Sequence, residues 1–350
     1  TASRAVAALP VAGRYRMIDF VLSNMVNSGV RNVGVIMQKN YHSLMDHLGS
    51  GKEWDMSRKR GGLRLLPPFG RQSAGRGDYV SVIDALLAVE GYIRDIKQDY
   101  IYLVRGSLAV NLDLTAVMAA HLKSGADVTA VCTPKTPEGT HHRFVTDENG
   151  RATQLLFRRS GPGPGYAALE AYIMSREALL DLLERCDSAM NRRFHRDGLG
   201  GLMEAGGTIN VYMHEGYAVN IADVTGYYEA SMDMLDAKNR RELFPEDRPV
   251  HTKGRADVST YYGDGAVVKN CLVADGCFIE GELENCVIFR GVRIEQGAVL
   301  KNCIIMQDTI IGPGATLNYI ISDKDVTVDG GVTLAGSPKL PLVVPKGSKI

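Results

Sequence analysis

The 350 residues suffice for two domains, and 40 basic residues balance 40 acidic ones, so the net charge is zero. This balance argues against a nucleic acid or an anionic membrane surface as a partner, and the chain contains no run of about 18 apolar residues that could span a membrane. None of the six cysteines lies in a CxxC pair, so no zinc ribbon is expected, and reduced thiols in a cytoplasmic protein are the simplest interpretation.

Predicted strands and helices alternate over residues 1–240. Apolar runs rich in β-branched residues predict buried, parallel strands at residues 33–37, 100–104 and 127–132. Helical patterns lie at residues 17–28, 81–96 and 115–123. This alternation is typical of a doubly wound, Rossmann-like α/β domain. Because no apolar run precedes the first helix, and a sheet without its central strand would expose two edges, we expect a further strand and loop upstream of Thr1.

A repeat begins at about Gly263. Four aligned segments start at Lys269, Glu284, Lys301 and Leu317, and aliphatic residues recur every six positions within them. A six-residue period is one face of a triangular coil, and one coil cannot bury its own interior, so coils must stack. We therefore predict a linker and a left-handed parallel β-helix in residues 241–350. Three cysteines recur once per coil and predict an internal ladder: Cys271, Cys286 and Cys303.

Some proteins with such helices are acyltransferases that use a histidine of the coils as a general base. No histidine follows His251 in this chain. An assembly or regulatory module is therefore favoured over an acyltransferase.

A long segment resembles the start of the ADP-glucose pyrophosphorylases, or glucose-1-phosphate adenylyltransferases: residues 10–20 (PVAGRYRMIDF), 22–24 (LSN) and 27–29 (NSG). Further similar stretches are residues 43–48, 51–55, 227–230, 289–292 and 297–302. The resemblance implies a nucleotidyltransferase domain followed by a left-handed β-helix. Residues 49–55 (GSGKEWD) and 289–292 (FRGV) resemble the GlgD-type subunit, which implies a GlgC-type catalytic subunit as partner, in a hetero-tetramer for glycogen synthesis.

The family reaction joins glucose 1-phosphate to ATP and releases pyrophosphate, with Mg²⁺ held by two aspartates. The resemblance places Ser107 at the first aspartate position and Asn220 at the second. Both are neutral, so we expect neither a metal nor a catalytic residue in this chain. Asp113 and Asp223 lie nearby in sequence but are not aligned with these metal positions. A shift of one residue along a strand places the side chain on the opposite face, so we do not expect either residue to replace a metal-binding aspartate.

Two other positions depart from the family. Residues 81–85 (SVIDA) replace the nucleotide segment GTADA and retain only Asp84 and Ala85. Residues 158–160 (RRS) stand where the family has Glu-Lys-Pro, whose lysine contacts the sugar phosphate. Arg159 is therefore the candidate ligand of that phosphate, although a guanidinium contacts phosphate with a different geometry from an ammonium group.

The resemblance also implies a site for a phosphorylated or otherwise anionic effector. Arg4 and Arg16 match arginines of that site, His47 matches a histidine of some members, and Arg293 is a candidate from the β-helix. The alternative is that these side chains are solvated or paired with carboxylates.

The sequence is therefore compatible with two functions. One is a regulatory, non-catalytic subunit that modulates a GlgC-type partner. The other is an active nucleotidyltransferase that makes ADP-glucose and pyrophosphate from ATP and glucose 1-phosphate.

Overall fold

The computed structural model describes residues 4–68, 79–135, 142–157, 163–254 and 256–350. The described chain forms two compact units. The first contains the chain up to Ala8, together with Ile18–Asn220 and Pro245–His251, and the second contains Leu9–Met17, Ile221–Phe244 and Thr252–Ile350. No single cut in the chain separates these units, so the domain limits 1–240 and 241–350 stay a prediction.

The first unit is built on a mixed sheet. Within the described residues the strands follow the order Ile209–Met213, Val128–Thr133, Tyr166–Ser175, His142–Thr146 and Ala152–Phe157, and Tyr100–Val104 also pairs with Tyr166–Ser175. Only the first pair in this order is parallel. Two separate ladders pair Asn32–Ile36 with Gly62–Leu66, in parallel, and Leu108–Val110 with Ala218–Asn220, antiparallel.

The three predicted strands of this unit are present, but their environment differs from the prediction. Val128–Thr133 is buried throughout, because strands flank both of its edges and a hydrophobic core packs against each face of the sheet. Tyr100–Val104 has one neighbour among the described strands, pairs with it antiparallel, and is partly exposed. The expectation of uniformly buried, parallel strands was therefore wrong in this detail.

Helices cover both faces of the sheet, which confirms the doubly wound arrangement. Alternate residues of the central strand face different cores: Val131 packs with the helices Met17–Asn27 and Leu114–Ser124, whereas Ala130 packs with Arg176–Ser188. The remaining helices of this part of the chain are His42–Leu48, Val82–Ala88, Glu90–Asp95 and Gly201–Glu204, a π-helical segment at Phe194–Gly200, and single 3₁₀ turns at Val6–Ala8 and Lys52–Trp54.

The second unit contains a parallel β-helix made of three five-stranded sheets. The first sheet comprises Tyr261–Tyr262, Phe278–Ile279, Arg293–Ile294, Ile310–Ile311 and Thr327–Val328. The second comprises Val267–Lys269, Glu282–Glu284, Val299–Lys301, Thr316–Asn318 and Thr333–Ala335. The third comprises Leu272–Val273, Val287–Ile288, Ile304–Ile305, Ile320–Ser322 and Leu342–Val344.

The six-residue aliphatic pattern fills the interior of these coils. Eight of its members are at most 1% exposed: Ile279, Ile288, Ile294, Leu300, Ile305, Ile311, Leu317 and Val328. Stacking buries them because each coil closes the open side of the next. The predicted cysteine ladder is also present, since Cys286 and Cys303 are fully buried and the backbone N–H of Cys286 donates to the Cys271 sulfur at 3.3 Å. All six cysteines are free thiols.

An asparagine ladder forms one corner of the stack. Asn270, Asn285 and Asn302 have φ angles of 50°, 53° and 54°, the left-handed region that asparagine tolerates better than most residues. Each side-chain amide donates to the next asparagine, at 2.7 Å from Asn270 to Asn285, 3.4 Å from Asn285 to Asn302 and 3.1 Å from Asn302 to Asn318. The repeated asparagine therefore supplies both the turn and a bond between coils.

Two helices and a small hairpin complete the second unit. The helices are Val224–Asp233 and Ala237–Leu243, and the hairpin pairs Pro10–Val11 with Tyr15–Arg16. Tyr227 donates its hydroxyl to the carbonyl of Pro10 at 2.7 Å, and Tyr228 donates to the carbonyl of Asn302 at 2.9 Å. Among the described helices of the chain, none is long and apolar enough to cross a membrane.

Replacing Ile311 with alanine should lower the free energy of unfolding by about 2–5 kcal/mol, because it leaves a cavity in the β-helix interior. Its neighbour Ile310 lies on the same strand with 38% of its surface exposed, and Ile310→Ala should cost about 1 kcal/mol or less. Urea unfolding followed by circular dichroism gives both values. Equal losses for the two variants would contradict the closed interior.

Candidate functional site

Ser107 and Asn220 lie together at one end of a short ladder. Leu108–Val110 pairs with Ala218–Asn220 so that Leu108 is opposite Asn220, and Ser107 directly precedes Leu108. The Ser107 hydroxyl donates to the Oδ1 atom of Asn220 at 2.6 Å, and Ser107 is 7% exposed. The structure thus brings together two residues that are 113 positions apart in the sequence.

A tight turn fixes Ser107 in this place. The backbone N–H of Leu108 donates to the carbonyl of Arg105 at 3.2 Å. A Cβ atom on Gly106 would lie 3.1 Å from the Cβ of Ala7 and 3.3 Å from the Cδ1 of Ile18. These contacts leave little room for a side chain at position 106, so the glycine allows the close approach that positions the neighbouring serine.

Asn24, from the segment that resembles the family, holds the backbone beyond this ladder. Its buried amide donates to the carbonyl of Val110 at 2.9 Å and accepts from the N–H of Leu112 at 3.0 Å. Ser28 accepts from the N–H of Leu114 at 3.1 Å. These are obligatory backbone groups, and side chains of the helix Met17–Asn27 and of the turn that follows it satisfy them. Asn24 and Ser28 therefore have a structural role in supporting the site.

The nearby carboxylates Asp113 and Asp223 cap helices. Asp113 accepts from the N–H and the hydroxyl of Thr115 at 2.9 and 2.6 Å, and the hydroxyl hydrogen bond is the main reason why the pKa of Asp113 is lowered. Asp223 accepts from the N–H of Gly226 at 2.8 Å. An N-cap carboxylate satisfies a donor that the helix leaves unpaired. Both carboxylates thus have a structural role, and the expectation that neither replaces a metal ligand stays a prediction.

Asp84, the acid retained in the predicted nucleotide segment, is also engaged. Ser81 caps the helix Val82–Ala88, accepts from the N–H of Asp84 at 3.1 Å and donates its hydroxyl to Asp84 Oδ2 at 2.9 Å. The other carboxylate oxygen lies 3.1 Å from the Nε atom of Arg192. Local contacts thus account for the position of this side chain.

The Ser107–Asn220 pair does not fit Mg²⁺, which the nucleotidyltransferase family generally uses. Mg²⁺ takes hard oxygen ligands and is usually bound through carboxylates, which also neutralise its charge. Both side chains here are neutral, and the Ser107 hydroxyl donates a hydrogen bond to the amide oxygen of Asn220.

The candidate effector residues of the first unit are buried. Arg4 is 7% exposed and His47 is 6% exposed. The Nε2 atom of His47 lies 2.5 Å from Oδ1 of the fully buried Asp19, and its ring meets the edge of Trp54 at 5.7 Å between centroids. This packing gives His47 a role in the core, and its effector role stays a prediction. Arg159, the candidate sugar-phosphate ligand, lies outside the described residues.

The other two candidates belong to the second unit. Arg16 lies in the hairpin strand Tyr15–Arg16. Arg293 is exposed on the first sheet of the β-helix, with its guanidinium 5.0 Å from the centroid of the Phe278 ring. Stacking on an aromatic ring is favourable for arginine and explains the position of this side chain without a ligand.

Sequence reasoning missed a cavity of about 260 Å³ that lies wholly within the second unit. It lies between the loop before Tyr15 and the coils, and its charged lining is Arg14, Lys253, Arg290, Asp257 and Asp275. Arg290 pairs with Asp257 at 3.8 Å. Two of these residues could have been proposed from the sequence, since Arg14 and Arg290 belong to segments that resemble the family.

Two family models match the chain. One, described as nucleotidyl transferase, covers residues 1–237, and the other, described as GlmU-like, C-terminal hexapeptide, covers residues 258–339. They correspond to the α/β region and the β-helix.

Full-length relatives narrow the family further. The glycogen biosynthesis protein GlgD of Bacillus subtilis (strain 168) is 35% identical over 306 residues, which are 86% of this chain and 77% of the relative. GlgD of Geobacillus stearothermophilus is 36% identical over 304 residues, 85% and 77% of the two chains. The glucose-1-phosphate adenylyltransferase of the same organism is 30% identical over 305 residues, 86% and 78%. The chain therefore belongs to the ADP-glucose pyrophosphorylase family of glycogen biosynthesis.

Proposed function

We propose that this chain is the regulatory, non-catalytic GlgD-type subunit of a glucose-1-phosphate adenylyltransferase and that it modulates a GlgC-type catalytic subunit. The Ser107–Asn220 hydrogen bond is the observation that carries this proposal. Transfer of a nucleotidyl group builds up negative charge on phosphate oxygens, and the enzymes that perform it neutralise that charge with a bound cation. Two neutral side chains bonded to each other cannot hold such a cation at this position.

The pattern of similarity supports the same conclusion. Geobacillus stearothermophilus has both a protein named GlgD and a glucose-1-phosphate adenylyltransferase, and the first shares more identical residues with this chain over almost the same length. A common branch with the GlgD proteins explains the difference more simply than a catalytic subunit whose metal ligands have changed. The proposed assembly is a hetero-tetramer with the GlgC-type subunit.

An active nucleotidyltransferase is the alternative. It is favoured by the similarity to the adenylyltransferase, which extends over the same share of the chain. An active enzyme would have to recruit other ligands for its cation. Asp113 and Asp223 lie near the family positions in sequence, and each caps a helix N-terminus. The carboxylate of Asp84 accepts from the Ser81 hydroxyl and pairs with Arg192.

The cavity of the second unit is the proposed site of the anionic effector. Three basic side chains and two acidic ones line it, and one acid is already paired with Arg290. Arginine and lysine bind phosphate groups through charge-assisted hydrogen bonds. The site therefore involves Arg14, Lys253 and Arg290, in place of the exposed Arg293.

Mixing the purified chain with the GlgC-type subunit of its own organism tests the regulatory role. With ATP, glucose 1-phosphate and Mg²⁺, pyrophosphate release by the mixture should exceed that of the partner alone several-fold, and the chain without its partner should give no product. The same concentration of the heat-denatured chain is the control. ADP-glucose formation by the chain alone would support the alternative, and light scattering of the mixture tests the hetero-tetramer.

Restoring both carboxylates, with Ser107→Asp and Asn220→Asp, should create Mg²⁺ affinity that the wild type lacks at this pair. Each carboxylate attracts a cation at about 4 Å with roughly 4 kcal/mol per unit charge at an effective dielectric constant of about 20, so a gain of at least about tenfold should remain after desolvation. Isothermal calorimetry measures it. Ser107→Asn, which matches the size of aspartate without its charge, should give no gain, and an unchanged double variant would show that these positions are not the metal positions of the family.

Neutralising the cavity should weaken the effector response. In the mixture, Arg14→Gln and Arg290→Gln should each raise the phosphate concentration needed for half of the maximal effect at least about tenfold, since each removes a charged contact. Lys301→Gln changes an exposed lysine of the same unit outside this cavity and should leave the response unchanged. Equal responses from all three variants would place the effector elsewhere.

A further inference from the structure

Three metal-ligating side chains of the first unit converge on one point. They are His142, Glu170 and His195, and one ligand atom from each lies within 4.8 Å of the other two. The Nδ1 atom of His142 is 2.9 Å from Oε1 of Glu170, and the Nε2 atom of His195 is 2.8 Å from Oε2. The two imidazole rings stack with centroids 3.7 Å apart and planes at 22°. Both histidines thus share one carboxylate.

Irregular backbone brings these residues together. Glu170 has a φ of 57° and lies where the register of Tyr166–Ser175 shifts against its neighbour, which marks a β-bulge. His195 lies in the π-helical segment Phe194–Gly200, and His142 is the first residue of its strand. Bulges and π-helical turns are over-represented at functional sites, where they redirect a side chain.

Burial makes the cluster sensitive to its charges. The three side chains are 14–18% exposed. The Nε2 atom of His195 is buried and makes no hydrogen bond of normal geometry, although Glu170 is close. One carboxylate oxygen of Glu170 faces each ring nitrogen, so the carboxylate is in place to share a cation with the two rings.

We propose that His142, Glu170 and His195 bind a divalent transition metal ion of the Zn²⁺ class. Two imidazole nitrogens and one carboxylate form a donor set that suits zinc, and zinc takes such ligands at about 2.0–2.2 Å. Tetrahedral coordination at these distances separates ligand atoms by about 3.3 Å, so Glu170 and the two rings need to move apart by about half an ångström. The cluster shares no residue with the Ser107–Asn220 pair, and the proposal does not depend on the regulatory function.

Three protein ligands leave one coordination position of the ion open. The site borders a cavity of about 400 Å³ that is lined by His142, Phe157, Arg193, Phe194, His195 and Arg196. Arg193 and Arg196 are exposed, so solvent screens their repulsion of a cation. Both guanidinium groups suit a small anion at the open position. The fourth ligand is thus water or such an anion.

Calorimetric titration of the metal-free full chain with Zn²⁺ tests the proposal. The wild type should bind one ion. Glu170→Gln, His142→Gln and His195→Gln should each weaken Zn²⁺ binding at least about 10- to 100-fold, because loss of a residue that only supports a metal ligand already costs that much. His42→Gln is the matched control, since His42 is an exposed histidine of the same unit outside the cluster, and it should bind as the wild type does.

Co²⁺ gives an independent readout, because a four-coordinate Co²⁺ ion absorbs visible light strongly and an octahedral aqueous ion does so weakly. The wild type should develop this absorption, and the three variants should not. Thermal unfolding with and without Zn²⁺ distinguishes a variant that folds poorly from one that has lost only the metal site. The ion should raise the Tm of the wild type and of His42→Gln only. Absence of saturable Zn²⁺ binding by the wild type, or equal binding by all variants, would overturn the proposal.

Discussion

The hydrogen bond from Ser107 to Asn220 joins the ends of two strands whose pairing shapes the predicted nucleotidyl-transfer site. Two aspartates at such a distance would repel each other unless a cation lay between them. Here the Ser107 hydroxyl instead donates to the Asn220 amide oxygen, and no cation is needed to offset a repulsion. If these are the metal positions of the family, as we propose, the pair replaces the ligands of the cation with a direct hydrogen bond.

Several residues in the segments that resemble the family have structural roles in this chain. Asn24 fixes the backbone on both sides of Asn111, and Tyr227 and Tyr228 anchor their helix to the hairpin and to the coils. This framework, together with a neutral Ser107–Asn220 pair, is consistent with the proposed regulatory subunit, which would keep the shape of a catalytic relative without its metal ligands. The resemblance of a motif therefore indicates fold more strongly than activity.

The β-helix was predictable in detail because its period is local: one residue in six points inward, and Ile294 and Ile311 occupy the predicted interior positions. Strand partners in the first unit depend on contacts between distant segments, so the antiparallel pairing of Tyr100–Val104 left no sign in its own composition. The same holds for the cluster around Glu170, whose ligands come from three segments and meet through a bulge. The frame argument that separates Asp113 and Asp223 from the predicted metal positions stays a prediction, although both residues cap helices.

The central claim is that the Ser107–Asn220 pair holds no catalytic cation. Anomalous diffraction from wild-type crystals grown with ATP and Mn²⁺, recorded near the manganese absorption edge, tests it most directly because it locates each bound ion. The expected result is no anomalous peak between the Ser107 hydroxyl and the Asn220 amide oxygen, whatever other positions manganese occupies. A peak there, with both side chains turned towards the ion and their mutual hydrogen bond broken, would contradict the claim.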